Sequence, residues 1–146
     1  SMILHAHLPY VRHPEYEEFL EEDWLYEAIS ETYIPLLNMF ENLTRDKIPW
    51  SITMTMSGTL ANMLNDKLLR SRYEVSLNKS LELCRLEVER LKDQEELLNV
   101  AKFNLSFFKR AKETFLRYNG DLIKAFKKPC LCSILYQPYV GSNQIK

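Results

Sequence analysis

The sequence predicts a helix-rich α/β fold with two or three parallel strands. Residues 2–8 form an apolar run closed by Pro9, and residues 50–56 alternate between apolar and polar side chains. Both patterns are typical of strands, whereas apolar residues recur at helical spacing through most of the remaining chain. With 46% hydrophobic and 12% aromatic residues, the 146-residue chain can form one domain with a core.

A long helical stretch follows the first strand. Between residues 15 and 47 the apolar side chains recur every three to four positions, and acidic residues crowd the N-terminal end, where the helix dipole favours them. We expect Pro35 to kink this helix, because proline lacks the backbone N–H.

The second strand is predicted by the alternation after Pro49. Ile52, Met54 and Met56 share one face of this strand, and the threonines between them occupy the other. A helical connection of this length joins parallel strands through a right-handed crossover.

A helical layer is predicted after Gly58. Asn65-Asp66 should cap the start of a helix, Asn119-Gly120 should end a helix, and Asp121 should cap a last helical turn before Pro129. The apolar residues expected to face the core of this layer are Leu83, Leu86, Leu91, Leu97, Leu98, Ala101, Phe107, Phe108, Ala111, Phe115 and Leu116. From Cys130 onward the chain has one apolar patch, which either forms a strand or hangs loose.

Two or three parallel strands make an incomplete sheet, because such strands need neighbours on both edges and cover on both faces. Three arrangements would resolve this. In the first, the helices alone bury the apolar residues. In the second, another copy of the chain pairs with the open edges as a homodimer. In the third, the chain is the first part of a larger fold.

The charge balance and composition exclude several classes of protein. The net charge of −1 gives no field that would attract nucleic acid or an anionic membrane, and no apolar segment approaches twenty residues. Three cysteines, an odd number, predict a reducing compartment and hence a cytoplasmic protein. With glycine only at positions 58, 120 and 141, no glycine-rich phosphate loop can form, and no cofactor is predicted.

All three histidines lie in the first thirteen residues. His5 and His7 are two residues apart at the end of the first strand, so their imidazoles lie on the same side of the strand tip, where α/β proteins build sites. A metal pair is the rival interpretation. Catalytic zinc requires three protein ligands, and His13 is too close in sequence to come from another strand, so we predict no metal.

Several segments resemble the N-terminus of glycoside hydrolase family 57, and within it the 1,4-α-glucan branching enzymes. The most specific is LHAHLPYVRHP at residues 4–14, and the similarity covers about residues 2–128. The other segments are EEDWLYEAI at 21–29, ETYIPLL at 31–37, SITMT at 51–55, TLANML at 59–64, AKF at 101–103 and YNGDLIKAF at 118–126.

The resemblance implies a partial (β/α)7 barrel and an enzyme that cuts and rejoins α-1,4-glucan with retention of anomeric configuration. In the complete enzyme His5 and His7 would hydrogen-bond the sugar where cleavage occurs. Tyr10, Arg12 and Trp24 would be further substrate-binding residues. The glucan is then the partner, and no catalytic residue is expected in this chain. Retaining chemistry requires two carboxylates about 5 to 5.5 Å apart, and the resemblance places both beyond residue 146.

Residues 129–146 depart from the family pattern, which favours a frameshifted or truncated gene. The domain assignment is therefore an N-terminal barrel part at 2–128 and a divergent tail at 129–146. Two other hypotheses stay open: a non-catalytic helical module that binds glucan or self-associates, and a fragment of a metal-dependent hydrolase.

Other polar and aromatic features are assigned ordinary structural roles. Cys130-x-Cys132 lacks a second pair and indicates no metal site. For Trp24 and Trp50 core packing is the alternative to substrate contact. A solvated helix start accounts for the acidic cluster, which consists of Glu15, Glu17, Glu18, Glu21, Glu22 and Asp23.

Overall fold

The computed structural model describes residues 2–128 and the backbone of residues 132–137. The elements in chain order are β1 (Met2–Ala6), α1 (Leu20–Glu27), a π-helical segment (Ala28–Tyr33), α2 (Ile34–Arg45), β2 (Ile52–Ser57), α3 (Gly58–Asn65), α4 (Lys67–Arg90), α5 (Glu95–Arg117), α6 (Leu122–Lys127) and β3 (Cys132–Gln137). The prediction of a helix-rich α/β fold is confirmed.

The three strands form one parallel sheet in the order β1-β2-β3. Met2 pairs with Ile52 in the first ladder, and Ile52 pairs with Cys132 in the second. The parallel pairing of the first two strands is as predicted. Of the two alternatives for the C-terminal segment, the backbone at 132–137 adopts the strand. Cys130 lies outside the described residues.

The two faces of the sheet are buried to very different extents. Met54 and Met56 are fully buried, and Ala6 is buried on the same side, where they join the core made with the helices. Ile3 on the opposite face is 69% exposed, and Thr53, its partner in the register, is only half-buried. The predicted division of β2 into an apolar and a threonine face is therefore confirmed, and the threonine face is the more exposed of the two.

The helical stretch after β1 starts later than predicted and is irregular at the expected place. The α-helix begins at Leu20, because residues 14–19 form turns and loop that lead into it. Directly before Pro35 the chain is π-helical, and Ile34 donates its N–H to the carbonyl of Ile29, five residues back. A widened turn is one of the ways in which a helix accommodates a residue that cannot donate to the ladder.

The local helix signals are confirmed by the structure. Asp66 Oδ1 accepts from the N–H of Leu69 at 3.0 Å, and Asp121 Oδ1 accepts from that of Lys124 at 2.8 Å. Asn119 and Gly120 adopt positive φ values of 52° and 71° and end α5. These signals succeed because each depends on residues within one helical turn.

We expect Asp66→Ala to lower the free energy of unfolding by about 1 to 2 kcal/mol, because it removes the N-cap of α4. The same substitution removes an ion pair with Arg12, whose Nε lies 2.8 Å from Oδ2. Asp66→Asn retains a capping oxygen and should lower the free energy of unfolding much less. Urea denaturation of both variants measures the difference, and equal losses would contradict a capping role.

The prediction for the core of the long helices is wrong for four leucines. Leu83, Leu86 and Leu97 are exposed, and so is Leu116 near the end of α5, although the periodicity places them on apolar stripes. The buried residues of α4 cluster mainly in its first half, and those of α5 mainly in its second half. Periodicity shows which side of a helix is apolar, but it does not show whether another element covers that side.

Among the described residues, no helix is both long enough and apolar enough to cross a membrane.

Candidate functional site

The two histidines of the N-terminal motif lie together at the carboxyl end of β1. His5 is in the strand and His7 follows its last residue, and both side chains are exposed. Their rings are stacked, with centroids 6.3 Å apart and an angle of 8° between the planes. The expectation that both imidazoles lie on one side of the strand tip is therefore confirmed. Two adjacent imidazoles offer hydrogen-bond donors and acceptors to a polar ligand.

Thr55 of the neighbouring strand contacts the first of these histidines. It is the register partner of His5, and its Oγ1 lies 2.7 Å from His5 Nδ1. The alternation of β2 predicts that Thr55 lies on its polar face but predicts no role for it. The contact of Thr55 with His5 can be predicted only from the register of the two strands, because a shift of one residue would turn the side chain to the other face.

The loop between β1 and α1 holds two more predicted site residues in different environments. Tyr10 is 60% exposed, whereas Arg12 is half-buried in its ion pair with Asp66. Between them Val11 is buried and donates its N–H to the sulfur of Met63 at 3.3 Å. The loop is thus fixed against α3 and α4, and Arg12 has a structural partner. Contact of Tyr10 and Arg12 with substrate stays a prediction.

His13 lies between two carboxylates. Its Nδ1 is 3.2 Å from Glu15 Oε1 and its Nε2 is 3.2 Å from Glu21 Oε2, and its ring centroid is 3.8 Å from that of Phe19. Desolvation lowers the pKa of His13, but the hydrogen bonds and charges of the two glutamates outweigh it and raise the pKa above the ordinary value of 6.5.

The raised pKa of His13 predicts a pH dependence of stability. The folded state binds the proton more tightly than the unfolded state, so this contribution is fully present below pH 6.5 and is lost as pH rises through the folded pKa. We expect His13→Gln to remove this part of the dependence and His7→Gln to leave it unchanged. Urea denaturation across this pH range measures it, and an identical pH profile for His13→Gln would contradict the ion pairs.

The interpretation of the acidic cluster as a solvated helix start is wrong for Glu22, which is 1% exposed. Its Oε1 accepts from Arg72 Nη1 at 2.6 Å and from the His13 N–H at 3.1 Å, and its Oε2 accepts from the Tyr26 hydroxyl at 2.8 Å. Burial raises the pKa of Tyr26, and the bond to Glu22 raises it further. No local pattern predicts this burial, because Arg72 lies fifty positions away on α4.

Arg72 also ties the loop backbone to α4. Its Nη1 donates to the carbonyl of His13 at 3.1 Å, and its Nη2 donates to the carbonyl of Tyr16. Together with Glu22, Arg72 fixes both ends of the segment at residues 13–16, which overlaps the end of the motif at residues 4–14. This network is structural, because every polar atom of the Glu22 carboxylate is already satisfied by the protein.

The two tryptophans have different environments. Trp50 stacks on the buried Phe40, with ring centroids 4.8 Å apart, as the core alternative predicted. Trp24 is 50% exposed on α1, so core packing is wrong for it. Its contact with substrate stays a prediction.

The ends of β1 and β2 carry no acidic side chain: residues 5–8 and 55–58 contain neither aspartate nor glutamate. Within the part of the chain that the structure describes, no group of three or more His, Cys, Asp or Glu side chains is arranged to hold a metal ion. The arrangement at the strand ends can therefore bind and orient a polar ligand, but it presents no carboxylate pair for acid/base or nucleophilic chemistry.

Two grooves in the helical layer lie apart from the histidines. One of about 770 Å³ is formed by residues of α2 and α5, and one of about 510 Å³ by residues of α1, α4 and the segment before α1. Neither is lined by His5 or His7. The histidine pair lies on the more exposed face of the sheet.

Comparison with known proteins places this chain in an enzyme family. Residues 1–139 match the model of glycosyl hydrolase family 57, a match that extends past the boundary predicted at residue 128. Over 123 residues, 84% of this chain, the sequence is 32% identical to the 1,4-alpha-glucan branching enzyme TK1436 of Thermococcus kodakarensis. The chain spans 18% of the length of that relative.

Solved structures give the same result at the level of the fold. Each of three structures matches 92% of this chain. The alpha-amylase AmyC of Thermotoga maritima has a TM-score of 0.87 at 41% identity, with 26% of its chain covered. The branching enzyme TK1436, solved in complex with glucose, has a TM-score of 0.80 at 29% identity, with 24% of its chain covered. The branching enzyme of Pyrococcus horikoshii has a TM-score of 0.84 at 26% identity, with 26% of its chain covered. Because the family model matches nearly the whole sequence, the chain belongs to glycosyl hydrolase family 57.

Proposed function

We propose that this chain is the N-terminal part of a retaining, α-1,4-glucan-acting glycoside hydrolase or transferase, and that branching is its reaction. The observation that carries the proposal is the stacked pair His5 and His7 at the carboxyl end of β1, on the face that the helices leave open. In barrels of alternating strands and helices this is the end where substrates bind. We further propose that the three parallel strands are the first strands of an incomplete (β/α)7 barrel.

The histidine pair is proposed to hydrogen-bond sugar hydroxyls and so to position the glucan for cleavage. A fixed orientation of substrate relative to the reacting groups is itself a large contribution to rate. Tyr10, Arg12 and Trp24 are proposed as further substrate contacts. Exposed aromatic faces such as those of Tyr10 and Trp24 suit stacking on sugar rings.

The chain by itself is proposed to be inactive. Retaining chemistry requires a nucleophile and a general acid/base about 5 to 5.5 Å apart, and the residues at the ends of β1 and β2 supply neither. In this proposal the two carboxylates come from parts of the enzyme other than these residues, since the chain spans about a quarter of the solved relatives.

Branching is favoured over hydrolysis by the names of the relatives, because both TK1436 and the P. horikoshii protein are branching enzymes. The higher identity to the amylase AmyC supports hydrolysis as the alternative reaction of the same site. Both reactions proceed on α-glucan, so the proposed substrate class is the same. The domain division at 128 and a cytoplasmic location are part of this proposal.

Titration of the ¹⁵N-labelled chain with maltotetraose tests the binding proposal. We expect shift changes at the imidazoles of His5 and His7 and none at His13, which lies in its own carboxylate cluster. Cellotetraose, with β-1,4 linkages, is the matched control sugar and should have a smaller effect. Equal responses to the two sugars, or no response to maltotetraose at millimolar concentration, would contradict the proposal. The amylose–iodine assay should show no turnover, and turnover would contradict inactivity.

Self-association is a second candidate function, and one observation favours it. On the outer side of β1 the described residues place no neighbouring strand, and Met2 and Ile3 are exposed there. An open edge with apolar side chains can pair with a second copy. Size exclusion with light scattering should then report a dimer that Ile3→Lys converts to a monomer, whereas a wild-type monomer at high micromolar concentration would contradict it.

A further inference from the structure

Thr55 makes two contacts at the strand ends that bear on the hydrogen bonding of His5. Thr55 Oγ1 lies 2.7 Å from His5 Nδ1 and 3.4 Å from the carbonyl oxygen of Leu4. A threonine hydroxyl has a single proton to donate and two lone pairs that accept. The carbonyl of Leu4 can only accept, so the arrangement in which both contacts are hydrogen bonds directs the hydroxyl proton to that carbonyl. The hydroxyl oxygen is then the acceptor for His5.

We propose that Thr55 is a positioning residue that holds His5 in the tautomer with its proton on Nδ1. A neutral imidazole carries one proton, and the hydrogen bond made by one ring nitrogen fixes the role of the other. With Nδ1 donating to Thr55, Nε2 presents a lone pair. His5 is exposed, so this nitrogen is available as an acceptor for a ligand hydroxyl.

The neighbouring histidine provides the contrast. His7 stacks on His5 but makes no hydrogen bond with the residues that the structure describes. A solvated imidazole prefers the proton on Nε2, so His7 should be in the tautomer opposite to that of His5. The pair would then offer an acceptor and a donor side by side. A sugar hydroxyl both donates and accepts, so this combination suits a polyhydroxylated ligand.

The inference rests on the proposed function for the identity of the ligand, but the tautomer itself does not depend on a ligand. Long-range ¹H–¹⁵N spectra of the whole chain at about pH 8 separate the nitrogen shifts of its three histidines. His5→Gln identifies the signals of His5. We expect Nδ1 of His5 to have the shift of a protonated nitrogen and Nε2 that of an unprotonated one, with the reverse at His7.

Three variants test the role of the hydroxyl. Thr55→Val keeps the shape of the side chain but removes the oxygen, and it should convert His5 to the Nε2–H tautomer. Thr55→Ser retains the hydroxyl and should restore the wild-type pattern. Thr53→Val is the matched control, because Thr53 pairs with Ile3 in the same register and should leave His5 unchanged. Circular dichroism confirms that each variant is folded.

The outcomes separate this inference from the proposed function. Wild-type His5 with its proton on Nε2, or an unchanged tautomer in Thr55→Val, would overturn the role of Thr55. If maltotetraose binds, Thr55→Val should weaken it about threefold to tenfold, the effect of one hydrogen bond, and an unchanged affinity would also count against that role. If the tautomers are as expected and no sugar binds, the positioning role stands and the proposed function fails.

Discussion

Glu22→Ala is expected to lower the free energy of unfolding by about 3 to 5 kcal/mol, because it removes one partner of a buried ion pair. The substitution leaves the half-buried guanidinium of Arg72 without its carboxylate. The N–H of His13 and the hydroxyl of Tyr26 also lose their acceptor. Because small domains are stable by only about 5 to 15 kcal/mol, this is a large share of the total. Urea denaturation followed by far-UV circular dichroism measures it.

The matched control is Glu87→Ala on the surface of α4. Glu87 also pairs with an arginine, Arg90, at 2.7 Å, but both side chains are largely exposed. Removal of this pair should lower the free energy of unfolding far less than Glu22→Ala does, because water and salt screen exposed ion pairs. Glu22→Gln, which removes the charge but keeps an acceptor, should fall between the two. Equal losses for Glu22→Ala and Glu87→Ala would contradict the structural role of the buried pair.

Phe40→Ala is expected to lower the free energy of unfolding by about 3 to 5 kcal/mol, because it leaves a cavity in the centre of the core. Phe40 is fully buried, stacks on Trp50 and meets the edge of the Phe126 ring at a centroid distance of 6.5 Å. It therefore connects α2 to α6 and to the segment before β2. The fluorescence of Trp50 should also change, since its stacking partner is removed.

Phe103→Ala is the control for this prediction. This substitution removes the same phenyl ring as Phe40→Ala, but Phe103 is 61% exposed on α5. A substitution at such a surface position should change stability by no more than about 0.5 kcal/mol. A loss at Phe103 as large as that at Phe40 would mean that the exposed side of α5 is covered in solution.

The features of this chain that could be predicted from its sequence are local or strictly periodic. The alternation after Pro49 gave the two faces of β2, and the caps at Asp66 and Asp121 gave the starts of two helices. The histidine spacing gave the side of the strand on which both imidazoles lie. Each of these depends on the geometry of a few consecutive residues, which the sequence contains in full.

The features that could not be predicted from the sequence depend on a distant partner. Glu22 is acidic and lies at a helix start, a pattern typical of solvated residues, yet Arg72 from α4 allows it to be buried. Leu83 and Leu86 belong to an apolar stripe, yet no described element covers them. Trp24 on α1 is also exposed, although core packing is the predicted alternative for it.

The sequence by itself determined the family, the helix-rich α/β class and the face of β1 on which the histidines lie, because short motifs, caps and periodicities carry that information locally. Only the tertiary structure decided that Thr55 meets His5, that Arg72 and Glu22 hold the loop after the motif, and which apolar stripes are covered. Strand register and helix docking bring together residues some fifty positions apart, and burial and hydrogen bonding depend on those neighbours.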